Sequence, residues 1–305
     1  MRVGDGVLVV DKPVGPTSFE VVRRIKRAAR LGRSEKIGHG GTLDPLASGV
    51  LPVCLGEGTK LAQFLLDADK EYNVTIELGV ETDTYDAQGT VTARHDASAI
   101  DEGRVRASLP AFMGRISQVP PVYSALKRDG RPLHEYARAG EAVEIAPREV
   151  TVHELALGAW AGPSAVSLRV RCSKGTYVRS LAFDLGRALG VGGHVTALRR
   201  TRSGPFSLDA ARPLDQVLGA LSGEAPPQLV SLEDALGHLP RRPVDAAAVR
   251  ALEQGKRLPW EALGETAGAG RVAVLRPDGR LLAVAEPRPE GTVRTLRVFG
   301  VELGS

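Results

Sequence analysis

The sequence predicts an α+β chain: a mixed α/β body followed by a small β-rich module. Two observations predict it. Short apolar runs with strand alternation are interleaved with stretches of helical spacing, and the segment after residue 240 reads as strands and turns. Between the two, "LSGEAPPQ" and "GHLPRRP" break the periodicity near 221–240, which places one domain over 1–237 and a second over 238–305.

In order, "GVLVVDKP" reads as a buried strand over Val7–Val10, stopped at Lys12-Pro13. Thr17 and Ser18 offer N-caps, with Glu20 in the first turn, for a helix across "FEVVRRIKRAARL". A glycine-rich loop, "GHGGTLDPLASG", follows, and "VLPVCLG" is a second apolar strand. Thr59 is placed to open a helix over "KLAQFLLDAD", and Tyr72–Leu78 alternates as a strand. "ETDTYDAQGTV" is a polar turn region, and a weak helix runs from Asp101 to about Phe112. Residues 117–149, with prolines at 120, 121, 132 and 147, read as an insertion of loops and one short helix. "VTVHELALGAW" and "AVSLRVRCS" form a hairpin-like pair. Leu181, Leu185 and Leu189 recur at i+4 in a helix, and "HVTALRRTRSGPF" is extended. The last module contributes "RVAVLR", "RLLAVAEP" and "TVRTLRVF", with a "PDG" turn between the first two.

Composition narrows the class. No apolar run approaches the roughly 20 residues that cross a bilayer, and the N-terminus turns acidic too early for a signal peptide, so a cytoplasmic protein is expected. Cys54 and Cys172 stand far apart with no CxxC, which favours two reduced core thiols and removes the usual zinc spacings. The net charge of +4 and a pI near 9.2 suit a polyanionic partner, although an Arg excess in an Ala- and Gly-rich chain also follows from codon bias. No GxxxxGK[ST] is present, and "GEGTK" is not one.

The loop over 38–49 carries the chemistry. Pro45 drives Asp44 toward extended backbone and suits the first position of a helix, so Asp44 reads by itself as the cap of a short turn, "PLASG". A cap explains neither Gly38, Gly40 and Gly41 nor His39. Taken singly, Tyr72 reads as a core strand tyrosine, Arg179 as a solvated helix residue, Tyr177 and Leu198 as packing, and Asp86 as an Asx-turn.

Together the motifs are more specific. "GHGGTLDPLASGVLPVCLGEGTK" closely resembles the catalytic motif of the TruB family of bacterial tRNA pseudouridine synthases. "LVVDKPVGPTS", "DKEYNVTIELGVETDTYDAQG", "PPVYSALKRDGRPLHEYARAG" and "CSKGTYVRSLAFDLGRALGVGGHVTALRRTRSGPF" resemble its other motifs in order, over about residues 6–215. The final module resembles a small PUA-type RNA-binding domain. One departure stands out: Gly40 occupies a position where relatives often carry threonine.

The resemblance implies a pseudouridine synthase fold with a largely antiparallel central sheet. It implies isomerisation of uridine 55 in the T loop of tRNA on a flipped-out nucleotide. Asp44 is then the nucleophile, Arg179 its cationic partner and Tyr72 the aromatic that stacks on the base. Tyr177 and Leu198 belong to the base pocket, His39 fills space left by flipped bases, and Asp86 lies near the site. Lys12 and Lys60 fit motif positions as structural or phosphate-contacting residues. The implied partner is the tRNA T arm, with no cofactor, metal or membrane, and the chain is expected as a monomer. A lone carboxylate fits, because an isomerase activates no water, whereas a glycosidase ordinarily uses two carboxylates. The rivals are a non-catalytic tRNA-binding or folding protein, against which Asp44, Tyr72 and Arg179 argue together, and a nucleoside hydrolase, for which no second acid is evident.

Overall fold

The computed structural model describes residues 4–300 apart from 125, 129, 142, 224–226 and 265–269. The first part contains β1 (Gly6–Lys12), α1 (Ser18–Ala28), β2 (Ile37–His39), β3 (Ala47–Leu55), α2 (Ala62–Asp67) and β4 (Lys70–Leu78). A small hairpin, β5 (Val80–Thr82) with β6 (Val91–Arg94), precedes α3 (Glu102–Ser108) and β7 (Gly114–Gln118). The stretch expected as an insertion then holds the minimal hairpin β8 (Lys127–Arg128) and β9 (Arg131–Pro132), and one short helix, α4 (Leu133–Arg138). Next come β10 (Arg148–Trp160), β11 (Val166–Cys172), α5 (Val178–Ala188), β12 (Gly193–Ser203), β13 (Phe206–Ser207), β14 (Arg212–Pro213), α6 (Leu214–Ser222) and α7 (Leu232–Ala235). The terminal part is β15 (Arg241–Pro243), α8 (Ala246–Glu253), β16 (Val272–Leu275), β17 (Leu281–Pro287) and β18 (Val293–Val298).

The strands of the main sheet lie in the order β14-β1-β3-β12-β4-β11-β10-β7, with β2 on β3 and β13 on β12. The sheet is largely antiparallel, but β12 runs parallel to β3 and β14 parallel to β1. The parallel contact positions the site. Arg200 faces Gly49, whose φ is +103°, and a Cβ there would lie 2.1 Å from the Arg200 carbonyl oxygen. Only glycine lets the two backbones approach this closely.

Local chemistry sets the element ends. Thr17 closes a full capping box with Glu20 at the start of α1, and Asp101 caps α3. Two expectations change. Thr59 does not open α2: its hydroxyl donates to the Gly56 carbonyl inside a preceding 3₁₀ turn. Asp44 does not cap a helix: Pro45 and Leu46 form one turn, the Ala47 N–H bonds the Asp44 carbonyl, and β3 begins at once. The run "VLPVCL" is buried on both faces of the sheet, and that continuous apolar pattern extends the strand back to Ala47.

Alternation along β1 divides the core. Leu8 and Val10 face α1 and the larger core, whereas Val7 and Val9 join Phe64, Leu65, Leu281, Val284 and Phe299 in a second core. The terminal four-stranded sheet, β15-β16-β17-β18, therefore packs on the sheet face opposite α1. An Arg271–Asp67 ion pair at 2.7 Å secures this contact. Both cysteines are buried free thiols, and burial raises Cys54 to about 12 and Cys172 to about 11.

Candidate active site

The loop between β2 and β3 is held from three sides. The Ser18 hydroxyl, at the start of α1, accepts from the Leu43 N–H at 2.8 Å and donates to the Leu43 carbonyl at 3.0 Å. The Gly15 N–H donates to the Pro45 carbonyl at 2.8 Å. From below, the fully buried Arg200 of β12 donates to the carbonyls of Thr42 (3.1 Å), Gly41 (3.1 Å) and Val50 (2.7 Å). A guanidinium has five donors in a rigid fork, so one side chain ties the two ends of the Asp44 turn together.

Asp44 projects from this turn toward α5. Arg179, at the second position of α5, places Nε 2.9 Å from Asp44 Oδ2. The Nε–H is not aimed along an acceptor direction, so the contact is an ion pair rather than an aligned hydrogen bond. Nη1 donates to the Thr84 carbonyl at 2.9 Å and lies 3.6 Å from Asp86 Oδ2, and Nη2 donates to the Tyr123 carbonyl at 3.0 Å. The Arg179 side chain is 6% exposed, Asp86 5% and Asp44 36%. One buried cation thus faces two carboxylates, of which only Asp44 keeps open access.

Asp86 satisfies both readings raised by the sequence. Its Oδ1 accepts from the Gln88 N–H at 3.0 Å, an Asx-turn, and from the Thr84 hydroxyl at 2.7 Å, while Oδ2 faces Arg179. The α5 end is positioned independently: Gln118 accepts from the Tyr177 N–H and donates to its carbonyl, and the Ser180 hydroxyl donates to the Val119 carbonyl.

A cavity of about 250 Å³ opens between the loop and α5, lined by Asp44, Tyr72, Tyr177, Arg179 and Leu198, with Leu43, Ala47 and Val178 among its apolar walls. β4 brings Tyr72 and β12 brings Leu198, which pairs with Val74 and Ala47 on its two sides. Burial pushes the Tyr72 phenol up, with Arg200 pulling the other way. Burial also raises Tyr177, opposed by the Ser124 hydroxyl beside it. Both phenols therefore stay protonated at neutral pH and can donate a hydrogen bond.

The remaining expected residues lie around or away from this cavity. Lys12 is fully buried behind the loop, donating to the carbonyls of Pro13 and Pro16, and burial lowers it to about 8 against the attraction of Asp44. His39 ends β2, opposite Val53. Burial and then Arg200 hold its imidazole below the usual value, so it is neutral at pH 7. Lys60 is not brought here: it pairs with Glu57 and donates to the Val298 carbonyl, joining the body to the terminal sheet. Gly40 also has a local reason: a Cβ there would sit 2.8 Å from Leu65 Cβ. A threonine in this position would force α2 or the loop to move. Arg200 is the residue that the motif reading missed. Its signal was present, because Leu198 and Arg200 share one strand face, and a buried Leu198 implies a buried Arg200.

Residues 27–178 match the TruB family pseudouridylate synthase (N terminal domain), and residues 179–236 match the tRNA pseudouridylate synthase B C-terminal domain. The chain belongs to the TruB family. The boundary between the two matches falls between Val178 and Arg179, so the ion pair joins them. Curated TruB relatives agree over most of the chain. The tRNA pseudouridine synthase B of Burkholderia mallei (strain NCTC 10247) is 51% identical over 287 residues, covering 93% of both chains. That of Aromatoleum aromaticum is 50% identical, covering 97% of this chain and 93% of the relative. Among solved structures, a chain of a Cbf5-Nop10-Gar1 complex superposes with a TM-score of 0.75 at 31% identity, covering 97% of this chain and 85% of that one. A chain of an H/ACA RNP bound to a substrate RNA containing 2′-deoxyuridine gives 0.71 at 29% identity, covering 98% and 86%.

Proposed function

We propose that this TruB-family chain isomerises uridine 55 in the T loop of tRNA to pseudouridine, with Asp44 as its nucleophile. The observation that carries the reading is the pairing of one accessible carboxylate with one buried guanidinium at the mouth of a base-sized cavity. In the reaction the N1–C1′ bond breaks, the uracil turns, C5 bonds to C1′, and the C5 proton leaves while N1 gains one. Atoms balance without a second substrate, which is why a single carboxylate suffices. Arg179 orients the Asp44 carboxylate and faces it with a fixed positive charge. Tyr72 stacks on the extruded base, and Tyr177 and Leu198 bound it. The cavity is smaller than the roughly 300–1,000 Å³ of sites for drug-sized ligands, in keeping with one flipped nucleobase rather than a larger molecule. Asp86 holds Arg179 in place. His39 fills the space that flipped bases vacate, and Lys12 supports the loop from behind.

In this reading residues 1–237 form the catalytic domain, with residues 117–149 gripping RNA, and residues 238–305 form a PUA-like module that adds RNA contacts. The chain acts as a monomer in the cytoplasm. Among the described residues, no helix is long and apolar enough to cross a membrane. The test is tritium release from tRNA carrying C5-labelled uridine. Release in proportion to pseudouridine formed is the expected result, and no release from unmodified tRNA would refute the synthase reading in favour of a tRNA-binding protein.

A further inference from the structure

The charge of this protein is concentrated on one element. Residues 18–36 hold seven basic side chains (Arg23, Arg24, Lys26, Arg27, Arg30, Arg33, Lys36) and two acidic ones, a net of +5, while the whole chain is +4. Everything else therefore sums to −1, and the mildly basic pI belongs to α1 and the turn after it. Codon bias would scatter arginine without regard to position, and it does not account for this concentration.

Many arginines elsewhere in the chain are already partnered. Arg106, Arg131, Arg169, Arg199, Arg241, Arg271, Arg276 and Arg294 each pair with a carboxylate. Arg23, Arg24, Arg27 and Arg30 are exposed, and none makes an ion pair or side-chain hydrogen bond among the described residues. The nearby Glu20 carboxyl is already taken by the Thr17 capping box, with Arg23 and Arg24 only helping to hold it below its ordinary value. These guanidinium groups line a groove of about 520 Å³ against Leu218 and Ser222 of α6.

Spacing turns the cluster into a track. Phe19, Arg23 and Arg27 fall at i, i+4 and i+8, one stripe along α1 with steps of about 6 Å per four residues, and Arg30, in the turn just after α1, lines the same groove. Phe19 is 70% exposed, an unusual state for a phenylalanine. It follows Ser18, whose hydroxyl holds Leu43 beside Asp44. The stripe thus begins at the rim of the candidate site and leads away from it. It lies on the sheet face that carries α1 and the pocket residues Tyr72 and Leu198, opposite the terminal module.

We propose that this stripe is a second RNA contact. Arg23, Arg27 and Arg30 hold sugar-phosphate backbone flanking the reacting nucleotide, and Phe19 offers a ring face to an unpaired base or ribose at the rim. The inference rests on the synthase reading for the identity of the RNA, and it deepens that reading by assigning a contact surface to α1. Arginine guanidinium groups free of carboxylates are suited to phosphate oxygens, whereas already paired ones first have to surrender a partner.

The test compares R23Q/R27Q/R30Q with a control of equal charge loss, R94Q/R104Q/R106Q, both in the Asp44→Asn background so that bound RNA does not turn over. Equilibrium binding of an unmodified tRNA transcript is measured from 50 to 300 mM salt. The stripe variant is expected to weaken binding at least about tenfold at low salt and to reduce the slope of log K against log salt by about 2–3, one counterion step per lost phosphate contact. The control is expected to change the slope by less than about 1. Equal slopes for stripe and control, or no change in the stripe variant, would overturn the proposal, with an unchanged circular dichroism spectrum showing that the fold is intact. Tritium release by the wild type on the same transcript is recorded in parallel. Release with an unchanged stripe slope sinks this inference alone, whereas absence of release sinks the synthase reading.

Discussion

Two turns deliver an aspartate to Arg179, and they do it differently. The turn before β3 brings Asp44, whose carboxylate makes its ion pair through Nε and keeps a third of its surface open to the cavity. The turn between β5 and β6 brings Asp86, almost fully buried, with Oδ1 occupied by the Thr84 hydroxyl and the Gln88 N–H and Oδ2 toward Nη1. Residue type and partner are the same in both, so neither decides which acid reacts. Access and free lone pairs distinguish them: Asp44 has an oxygen to offer a substrate and Asp86 does not. In the proposed reaction Asp86, locked by several donors, is a structural support, and Asp44, held by a single cation at a cavity mouth, is the reacting group.

The largest effect after loss of Asp44 itself is expected from breaking the cation that both acids share. Arg179→Met should lower kcat by at least about 10²–10³-fold, as for removal of a charge-stabilising donor in a closed site. It should also destabilise the fold by about 3–5 kcal/mol, because Asp86 is left as a buried charge without its partner. Arg179→Lys separates the two contributions: it restores charge without the fork, so stability should recover further than kcat. A variant with normal kcat would remove Arg179 from the mechanism.

Arg200 is the next test, because it holds the Asp44 turn without touching either acid. Arg200→Met leaves the carbonyls of Gly41, Thr42 and Val50 without donors and should cost about 1–3 kcal/mol for each group not rescued by water. If the clamp positions Asp44, single-turnover kcat falls by tenfold or more while Kd for tRNA changes little. A loss of stability with unchanged kcat would make Arg200 a packing residue only.

Asp86→Asn sharpens the contrast from the other side. The amide oxygen can still accept from Gln88 and Thr84, so the turn persists, and kcat is expected to fall by less than about tenfold with a stability change of about 1–2 kcal/mol. The smallest effect concerns pH. Lys70 donates to the carbonyls of Leu65, Leu66 and Ala68 at the end of α2, and burial lowers it to about 8. Between that value and the ordinary 10.5 the unfolded chain binds more protons than the native one, so the contribution of this group to stability rises with pH across that window. From pH 8 to pH 9, wild type should gain on the order of 1 kcal/mol relative to Lys70→Met, a difference in which the raised thiols, present in both proteins, cancel. Urea midpoints at the two pH values measure it, and a parallel pair of curves would contradict the shift.

Much of this arrangement was legible in the chain. The capping box at Thr17, the strand over Tyr72–Leu78, the hairpin of β10 and β11 and the helix after Tyr177 follow from local patterns that tertiary packing did not overrule. The motif order named Asp44, Tyr72, Tyr177, Arg179 and Leu198, and the fold brings these five to one cavity. Two features were not legible, each for a physical reason, and a third was legible only through strand alternation. Asp44 read as a helix cap because Pro45 suits a helix start and a turn equally, and only the pairing of β3 decides between them. Lys60 fitted a motif, but its partner carbonyl, on Val298, comes from the far end of the chain. Arg200 stood in "RRTR", where charge gave no means of telling the buried guanidinium from its exposed neighbours, although strand alternation from Leu198 does.

In the proposed mechanism access, not charge, separates the two aspartates on Arg179. That separation is tested most directly by tritium release from C5-labelled tRNA with wild type, Asp44→Asn and Asp86→Asn under single-turnover conditions. The expected result is release by wild type, a rate lower by at least about 10³-fold for Asp44→Asn despite retained tRNA binding, and a rate within about tenfold of wild type for Asp86→Asn. The reverse order, with Asp44→Asn near wild type and Asp86→Asn inactive yet folded, would contradict it.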